Sequence, residues 1–384
     1  MKRLIIILFT AIAILSGCTQ QKKEAQSTLF FFYPWSTNLT HYFENNIINF
    51  EYALTTNDLE TNRVVVFISQ SKTEACMYEI KMHRGRCQHD TIAKFDNYNY
   101  EYTTVDGLSK LLNLAKGETP TPQFATVIGC HGDAWIPARD MKRSFGGADV
   151  ESRIDISTLR DALKKSNITA EYILFDDCYM SSIEVAYELR NVCRHLIASP
   201  AEIMAAGMPF HKIAQDLLGT PSTHNIKPST RLGSPNYEAI CADFYDYYAN
   251  SPSAPYGTIA VTKCSELENL AEIVARINAT ATEVTRDVQY YDGYTPHIFY
   301  DLGDYIDAIC NDEMLLSEFQ AQMTKCIPHK AHTAQVYAYS SGVININVYS
   351  GISTSALSKN DKCISYTETE WYKDTRETSI NSPK

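Results

Sequence analysis

The chain has 384 residues, enough for one large domain or two ordinary ones with a substantial buried core. Its 45% hydrophobic and 21% charged residues are typical of a globular protein. Asp and Glu outnumber Lys and Arg by 45 to 34, and the net charge of -11 repels nucleic-acid phosphates. No basic run offsets that charge, so we expect no nucleic-acid partner, whereas cationic substrates are compatible with it.

Residues 1–18 predict a lipoprotein signal peptide. The start is positively charged, residues 4–15 form an apolar run too short to span a bilayer, and the Leu-Ser-Gly-Cys sequence ending at Cys18 resembles a bacterial lipobox. That resemblance implies cleavage before Cys18 and lipidation of its thiol, with residues 19–27 as a tether. We expect a body anchored to a bacterial membrane in the cell envelope, on its periplasmic or cell-surface face. The alternative is a plain secretory signal.

The segment 28–220 alternates apolar strands with amphipathic helices. Buried strands are predicted at 29–33, 64–68, 124–129, 172–175 and 196–198, helices at 38–54, 106–115, 157–165 and 181–190, and an edge strand pair at 75–84 and 90–95. We expect Ser157 to cap its helix. This alternation indicates an α/β/α sandwich with a mostly parallel central sheet.

The segment 221–366 predicts a C-terminal α/β extension of the same domain. It contains a connection rich in Pro, Ser and Thr at 221–235, helices at 236–250 and 266–285, and strands at 257–262, 334–340 and 343–349. No internal repeat is found. Residues 367–384 are polar, and we expect them to form a frayed tail.

The chain has 11 cysteines and no CxxC pair, so neither a zinc ribbon nor a thioredoxin motif is supported. Cys76 and Cys87 could close a hairpin as a disulfide in an oxidising compartment. A reducing setting would instead leave most of the other cysteines as small buried apolar residues. The sequence leaves both possibilities open.

Two reactive side chains follow predicted strands directly. His131 follows the strand at 124–129, and Cys178 follows the strand at 172–175. Sites in parallel sheets form at the carboxyl ends of the strands, so we expect these side chains to meet. An imidazole, or the start of the helix near Ser181, would favour the thiolate. The backbone N–H groups at Gly132 and Cys178 could form an oxyanion hole.

Both positions lie in motifs that resemble a known family. The stretch 130–135, Cys-His-Gly-Asp-Ala-Trp, resembles the His-Gly-x-Gly-Trp block of the clostripain family of cysteine peptidases. The stretch 174–180, Leu-Phe-Asp-Asp-Cys-Tyr-Met, is similar to its Asp-x-Cys block. His131 precedes Cys178 by 47 residues, a spacing similar to that of the wider caspase and gingipain clan.

The resemblance implies a caspase-like fold and a cysteine endopeptidase with Cys178 and His131 as its dyad. Asp176 matches a position that lines the S1 pocket, where it would pair with Arg or Lys of a peptide or protein substrate. Family members tend to mature by cleaving themselves in the loop after the histidine, which here contains Lys142 and Arg143. Some members need calcium, but nothing here reads as a calcium loop, so no metal or other cofactor is assigned.

Three departures keep an alternative open. Ala134 replaces the usual glycine of the histidine block, the first strand lacks the usual acidic turn, and residues 205–206 lack an acidic side chain that helps some relatives bind basic P1 groups. The alternative is a weak or inactive peptidase-like surface lipoprotein that acts as a binding scaffold, which the 25 tyrosines would suit. Retention of both His131 and Cys178 argues against it. A serine hydrolase is not supported, because no Gly-x-Ser-x-Gly elbow is present.

Overall fold

The computed structural model describes residues 25–35, 38–96, 101–140, 146–147, 153–220 and 234–377. The strands are β1 (Ser27–Tyr33), β2 (Asn62–Ser69), β3 (Glu74–His83), β4 (Arg86–Asp96), β5 (Gln123–Ile128), β6 (Ala170–Phe175), β7 (Cys193–Ala198), β8 (Thr258–Lys263), β9 (Tyr300–Asp301), β10 (His329–His332), β11 (Gln335–Ala338), β12 (Gly342–Asn345) and β13 (Ser353–Thr354). The helices are α1 (Thr40–Ala53), α2 (Thr56–Thr61), α3 (Val105–Lys116), α4 (Ile156–Lys165), α5 (Ile183–Leu189), α6 (Phe210–Leu218), α7 (Tyr237–Ala249), α8 (Leu267–Asn278), α9 (Leu302–Ile309), α10 (Glu313–Cys326) and α11 (Glu370–Tyr372).

Nine strands form one sheet in the order β10-β8-β7-β6-β5-β1-β2-β3-β4. The central five, from β7 to β2, are mutually parallel, and antiparallel strands extend the sheet at both edges. Short pairs β11/β12 and β9/β13 lie outside it. The predicted α/β/α sandwich with a mostly parallel core is confirmed.

The central strands are apolar because both faces of the sheet are covered. Phe31 of β1 contacts Phe50 of α1 and Phe210 of α6, with ring centroids 4.9 and 5.6 Å apart. The next residue, Phe32, contacts Tyr102, with ring centroids 5.8 Å apart, and this tyrosine lies just before α3. Successive side chains of a strand point to opposite faces. The unbroken apolar run of β1 therefore supplies core to two helical layers.

The order of the strands creates a switch point between β1 and β5. From β1 the chain moves through α1 to β2 on one side, and later enters β5 on the other side of β1 before continuing to β6 and β7. Right-handed crossovers then place α1 on one face and α3, α4 and α5 on the other. A crevice opens at such a point, at the carboxyl ends of the strands.

The C-terminal part adds β8 and β10 to the main sheet, and the structure as a whole departs from the sequence-based expectation in several places. The helix predicted at 266–285 ends at Asn278, and α6, α9 and α10 were not anticipated. The cap position of α4 is Asp155 rather than Ser157. Within the described residues no helix is both long and apolar enough to cross a membrane.

The frayed tail predicted from residue 367 is wrong for residues 367–377. These residues continue as helical turns, and the Trp371 side chain is only 2% exposed. Its ring packs edge-on against Tyr187 of α5, with the centroids 5.3 Å apart. The free energy gained by burying this indole ring offsets the entropy cost of ordering a polar segment. The composition of the segment alone does not reveal this contact. Residues 378–384 lie outside the described part.

Candidate active site

The carboxyl ends of β1, β5, β6 and β7 surround a cavity of about 420 Å³. His131 lines it from the loop after β5, and Cys178 lines it from the loop after β6. Asp176 and Gly132 lie in the same wall. A larger groove of about 1090 Å³ lies between α7, α10 and β10, but neither reactive side chain lines it. The chemistry therefore places the site in the smaller cavity.

Cys178 sits on a sharp turn at the end of β6. The next residue, Tyr179, has a φ of 63°, a left-handed conformation that is rare for a residue with a bulky side chain. Cys178 is partly exposed as a residue, and its Sγ accepts a hydrogen bond from the Ile203 N–H at 3.4 Å. Strain at this turn is the kind of feature that fixes the direction of a reactive side chain.

The surroundings of Cys178 favour the neutral thiol. Burial raises the pKa of Cys178 above its ordinary value, the Glu202 carboxylate raises it further, and the Ile203 N–H opposes both. The sequence suggested that the start of a helix would lower this pKa. That expectation is wrong, because α5 begins only at Ile183 and is seven residues long. The resting protein therefore needs a base at the site to generate the nucleophile.

Two residues that follow β1 contact the His131 ring. The Trp35 ring meets it edge-on, with the centroids 4.5 Å apart. The Nδ2 atom of Asn38 lies 3.4 Å from His131 Nε2. Sequence reasoning did not single out either contact, since the end of β1 was read only as a departure from a family pattern. The imidazole is thus positioned by the strand next to its own.

Gly132 allows the two reactive loops to approach each other. A Cβ added at this glycine would lie 2.2 Å from the Cys178 carbonyl oxygen and 3.1 Å from its nitrogen. Any larger residue would separate the loops. The two residues predicted to supply oxyanion donors are therefore direct neighbours in space.

Asp176 is 6% exposed and both of its oxygens are engaged. Asn46 Nδ2 donates to one oxygen at 2.9 Å, and the Met208 N–H donates to the other at 3.0 Å. Gly207 packs on this carboxyl with a φ of 67°, and a Cβ there would lie 2.6 Å from Oδ2. Burial raises the pKa of Asp176 to about 7, although the two hydrogen bonds lower it. The structure thus holds a carboxyl in the cavity wall by close contact with Gly207 and two hydrogen bonds, and its pKa lies near neutral pH.

The neighbouring Asp177 ties the two reactive loops together. It is 1% exposed, and its Oδ1 accepts a hydrogen bond from the Cys130 N–H. Burial raises the pKa of Asp177 well above its ordinary value. The side chain of residue 177 therefore holds the end of β5 against the end of β6, a role that the sequence did not reveal.

Two loops from the C-terminal part complete the cavity. The Tyr294 hydroxyl donates to Asp133 Oδ1 at 3.1 Å, and the Tyr339 N–H donates to Glu202 Oε1 at 3.0 Å. The sequence gave no signal for these contacts beyond clusters of tyrosine, which more often serve packing. They join the histidine loop and the loop after β7 to segments more than 100 residues away.

Three of the predicted functional residues fall outside the part of the chain that the structure describes, and one predicted pairing is not formed. Cys18, Lys142 and Arg143 lie outside the described residues. Cys76 and Cys87 are free thiols in the β3/β4 hairpin, where their partners are Lys94 and Met82, so the disulfide left open by the sequence is not formed. The described residues contain no group of three or more His, Cys, Asp or Glu side chains that could hold a metal ion.

A thiol, an imidazole and adjacent backbone N–H groups around one cavity are the groups that a cysteine peptidase uses. The sequence profile of the clostripain family matches residues 33–381, and the chain belongs to this family. It is a cysteine protease, a hydrolase of the C11 type, and its fold is the caspase-like α/β/α sandwich of these enzymes.

Solved structures of C11 proteases superpose on most of the chain. A secreted C11 cysteine protease from Bacteroides thetaiotaomicron, iotapain, is 39% identical with a TM-score of 0.84, over 92% of this chain and 99% of that one. A clostripain from B. thetaiotaomicron ATCC 29148 in complex with the peptide inhibitor BTN-VLTK-AOMK is 42% identical with a TM-score of 0.55, over 60% of this chain and 99% of that one. A second secreted C11 protease from B. thetaiotaomicron, with an irreversible peptide inhibitor, is 22% identical with a TM-score of 0.77, over 92% and 99%, and supports the fold alone. A comparison with curated proteins gives no match.

Proposed function

We propose that this protease cleaves peptide bonds through Cys178 as nucleophile and His131 as general base, after Arg or Lys. The observation that carries the proposal is the single cavity at the switch point, which both side chains line together with Asp176. Membership in the clostripain family indicates the class of reaction, and the lining of the cavity supports the choice of residues. Nothing in the described part of the chain favours the alternative of a binding scaffold.

The direction of the Cys178 pKa shapes the mechanism. Because burial and Glu202 keep the thiol protonated, the proton passes to His131 as Sγ attacks the scissile carbonyl carbon. The carbonyl oxygen gains negative charge and accepts hydrogen bonds from the N–H groups at Gly132 and Cys178. His131 then protonates the leaving amine, which leaves an acyl-enzyme thioester. Attack by water, with His131 again as the base, releases the acid and restores the thiol.

We assign recognition of the P1 residue to Asp176. Its carboxyl lies at the cavity wall, is held by hydrogen bonds from Asn46 and Met208, and packs against Gly207, where a side chain would collide with it. A guanidinium or ammonium group that enters the cavity would pair with it and favour its ionised form. The clostripain that is 42% identical was solved with an inhibitor whose peptide ends in Lys, which supports the same preference here.

Maturation and location complete the proposal. We assign self-cleavage to the dibasic pair Lys142 and Arg143, which follows the histidine loop and matches the P1 preference. We assign lipidation to Cys18, which would tether the enzyme to the outside of a bacterial membrane. Mass spectrometry of the purified enzyme tests both, since cleavage after either basic residue yields two chains and lipidation adds a fixed mass at Cys18.

The decisive experiment is covalent labelling with peptide acyloxymethyl ketones. We expect a Lys-based ketone to add once to the wild-type protein and to the Cys87→Ala variant, which removes a partly exposed thiol on β4. The Cys178→Ala variant should not be labelled. Labelling only by ketones with an uncharged P1 residue would reject the role of Asp176. Equal labelling of wild type and Cys178→Ala would reject the nucleophile.

A further inference from the structure

The walls of the active-site cavity carry more carboxyl groups than recognition of one P1 residue requires. Four carboxyl groups line it, those of Asp133, Asp176, Asp177 and Glu202, whereas no Lys or Arg is found among the described residues of the lining. Asp177 and Asp133 are buried and hold neighbouring loops, and Asp176 lies against Gly207. Glu202 is the partly exposed member of the group.

The Glu202 carboxylate is held in a fixed orientation through one of its oxygens. The Tyr179 hydroxyl donates to Oε1 at 2.8 Å, and the Tyr339 N–H donates to the same oxygen at 3.0 Å. Burial, followed by Glu202 itself, raises the pKa of Tyr179, so this phenol stays a donor at neutral pH. Both of these described hydrogen bonds use Oε1, so Oε2 can bind a further partner. A charge fixed in this way needs little reordering when it binds a cation.

Glu202 directly precedes the residue that contacts the nucleophile, whereas Asp176 is contacted by residues further along the same loop. The following residue, Ile203, donates its N–H to Cys178 Sγ at 3.4 Å, while the carboxyl of Asp176 is met five to six positions later, by Gly207 and Met208. Tyr337 and Tyr339 are also among the residues that line the cavity, and Tyr339 is 74% exposed. Aromatic faces beside a carboxylate suit the long stem and charged end of Lys or Arg.

We propose that Glu202 and Tyr339 form a second acidic subsite, which takes a Lys or Arg side chain adjacent to the P1 residue of the substrate. The proposal rests on the proposed peptidase function and adds a preference for paired basic residues. The carboxylate attracts the cation, and the tyrosine ring covers its aliphatic stem. The subsite recognises the residue on one side of P1, either P2 or P1′, and the experiment separates these positions.

Peptide binding to the Cys178→Ala protein tests the subsite without cleavage. Four fluorescent peptides carry Arg at P1 and either norleucine at both flanking positions, Lys at P2, Lys at P1′, or Lys at both. We expect Lys at one flanking position to tighten Kd about five-fold at low salt, the size of a partly exposed ion pair. High salt should reduce that gain, because exposed charges are screened.

The Glu202→Gln substitution in the same background identifies the group responsible. The amide oxygen can still accept from Tyr179 and Tyr339, but the charge is gone, so the ratio between the Lys and norleucine peptides should fall to about one. Glu318→Gln is the matched control, because it removes one negative charge from an exposed ion pair with Arg276 on the α8/α10 surface. It should leave the ratio as in the parent.

Three results would overturn the subsite: a Lys preference that survives Glu202→Gln, no Lys preference at either position, or no binding by any of the four peptides. A preference that is equal at low and high salt would contradict it without any variant at Glu202. Cleavage by the protein with Cys178 intact is measured separately. Binding with a Glu202-dependent preference but no cleavage would reject the peptidase mechanism and keep the subsite, whereas cleavage without the preference would do the reverse.

Discussion

Asp176 is a carboxyl whose ionisation in the folded protein is costly, so removing it should stabilise the fold and weaken the site. Burial raises its pKa from an ordinary value of 3.8 to about 7, even though Asn46 and Met208 donate hydrogen bonds that lower it. The charged form is therefore less favourable in the folded state than in the unfolded chain. We consider the substitution Asp176→Asn, which removes the charge and keeps the shape.

The size of the effect follows from the two pKa values. Each pH unit between them corresponds to 1.36 kcal/mol, so a difference of roughly three units amounts to about 4 kcal/mol. Because the folded pKa is the higher one, protonated Asp176 makes its full contribution to the free energy of unfolding of the wild-type protein at pH below 3.8. That contribution is lost progressively as pH rises to about 7. The Asp176→Asn variant has no carboxyl to ionise at this position, so its free energy of unfolding does not lose this contribution. Its amide oxygen can accept from Met208, and the Asn46 amide can rotate to accept from the new NH₂ group.

Urea unfolding of wild type and Asp176→Asn at an acidic and a mildly alkaline pH measures this difference. Relative to wild type, the variant should gain up to about 4 kcal/mol of unfolding free energy between the two pH values. It should also lose labelling by the Lys-based ketone. Asp246→Asn is the matched control, since this exposed carboxyl pairs with Lys212, which lowers its pKa. That variant should show a small effect of the opposite sign. If the unfolding free energies of Asp176→Asn and wild type differ by the same amount at both pH values, the reasoning is refuted.

Three further outcomes follow from the site and its supports. The rate ratio for Arg over norleucine at P1 should rise through pH of about 7, because Asp176 is charged only above it, and a flat ratio would contradict this assignment. Gly132→Ala should prevent labelling of Cys178 and cost ~1–3 kcal/mol, since its Cβ meets the Cys178 carbonyl oxygen; a labelled, equally stable variant would contradict the close approach. Buried Glu184 accepts a hydrogen bond from the Ser355 N–H, so Glu184→Ala should lower the Tm at a cost of ~1–3 kcal/mol, while labelling of Cys178 persists. An unchanged Tm would show that this N–H finds another partner.

Much of the central sheet was predictable because its signal is local. Each central strand is an apolar run that both helical layers bury, so β1, β2, β5, β6 and β7 were found within a few residues. The same reading placed His131 and Cys178 after strands of a parallel sheet, and the structure brings both into one cavity. Hydrophobic pattern and strand polarity are enough for that conclusion.

The surroundings of the two reactive residues were not predictable, because they come from distant parts of the chain. Asn38 lies beside His131, Tyr294 donates to Asp133, and Trp371 of the C-terminal segment packs on Tyr187. These contacts cross long sequence separations, which leave no periodic signal. Helix α10 was missed for a related reason, since only four of its residues are buried and its apolar residues do not all lie on that face.

The sequence by itself determined the central parallel strands and the two reactive residues that follow them, since these depend on the burial of local apolar runs. Only the tertiary structure decided the charge state of the site. The pKa values of Cys178 and Asp176 are raised chiefly by burial, and Glu202 acts on Cys178 through space. Desolvation and charge proximity depend on distances in the folded molecule, so the spacing of residues along the chain does not reveal them.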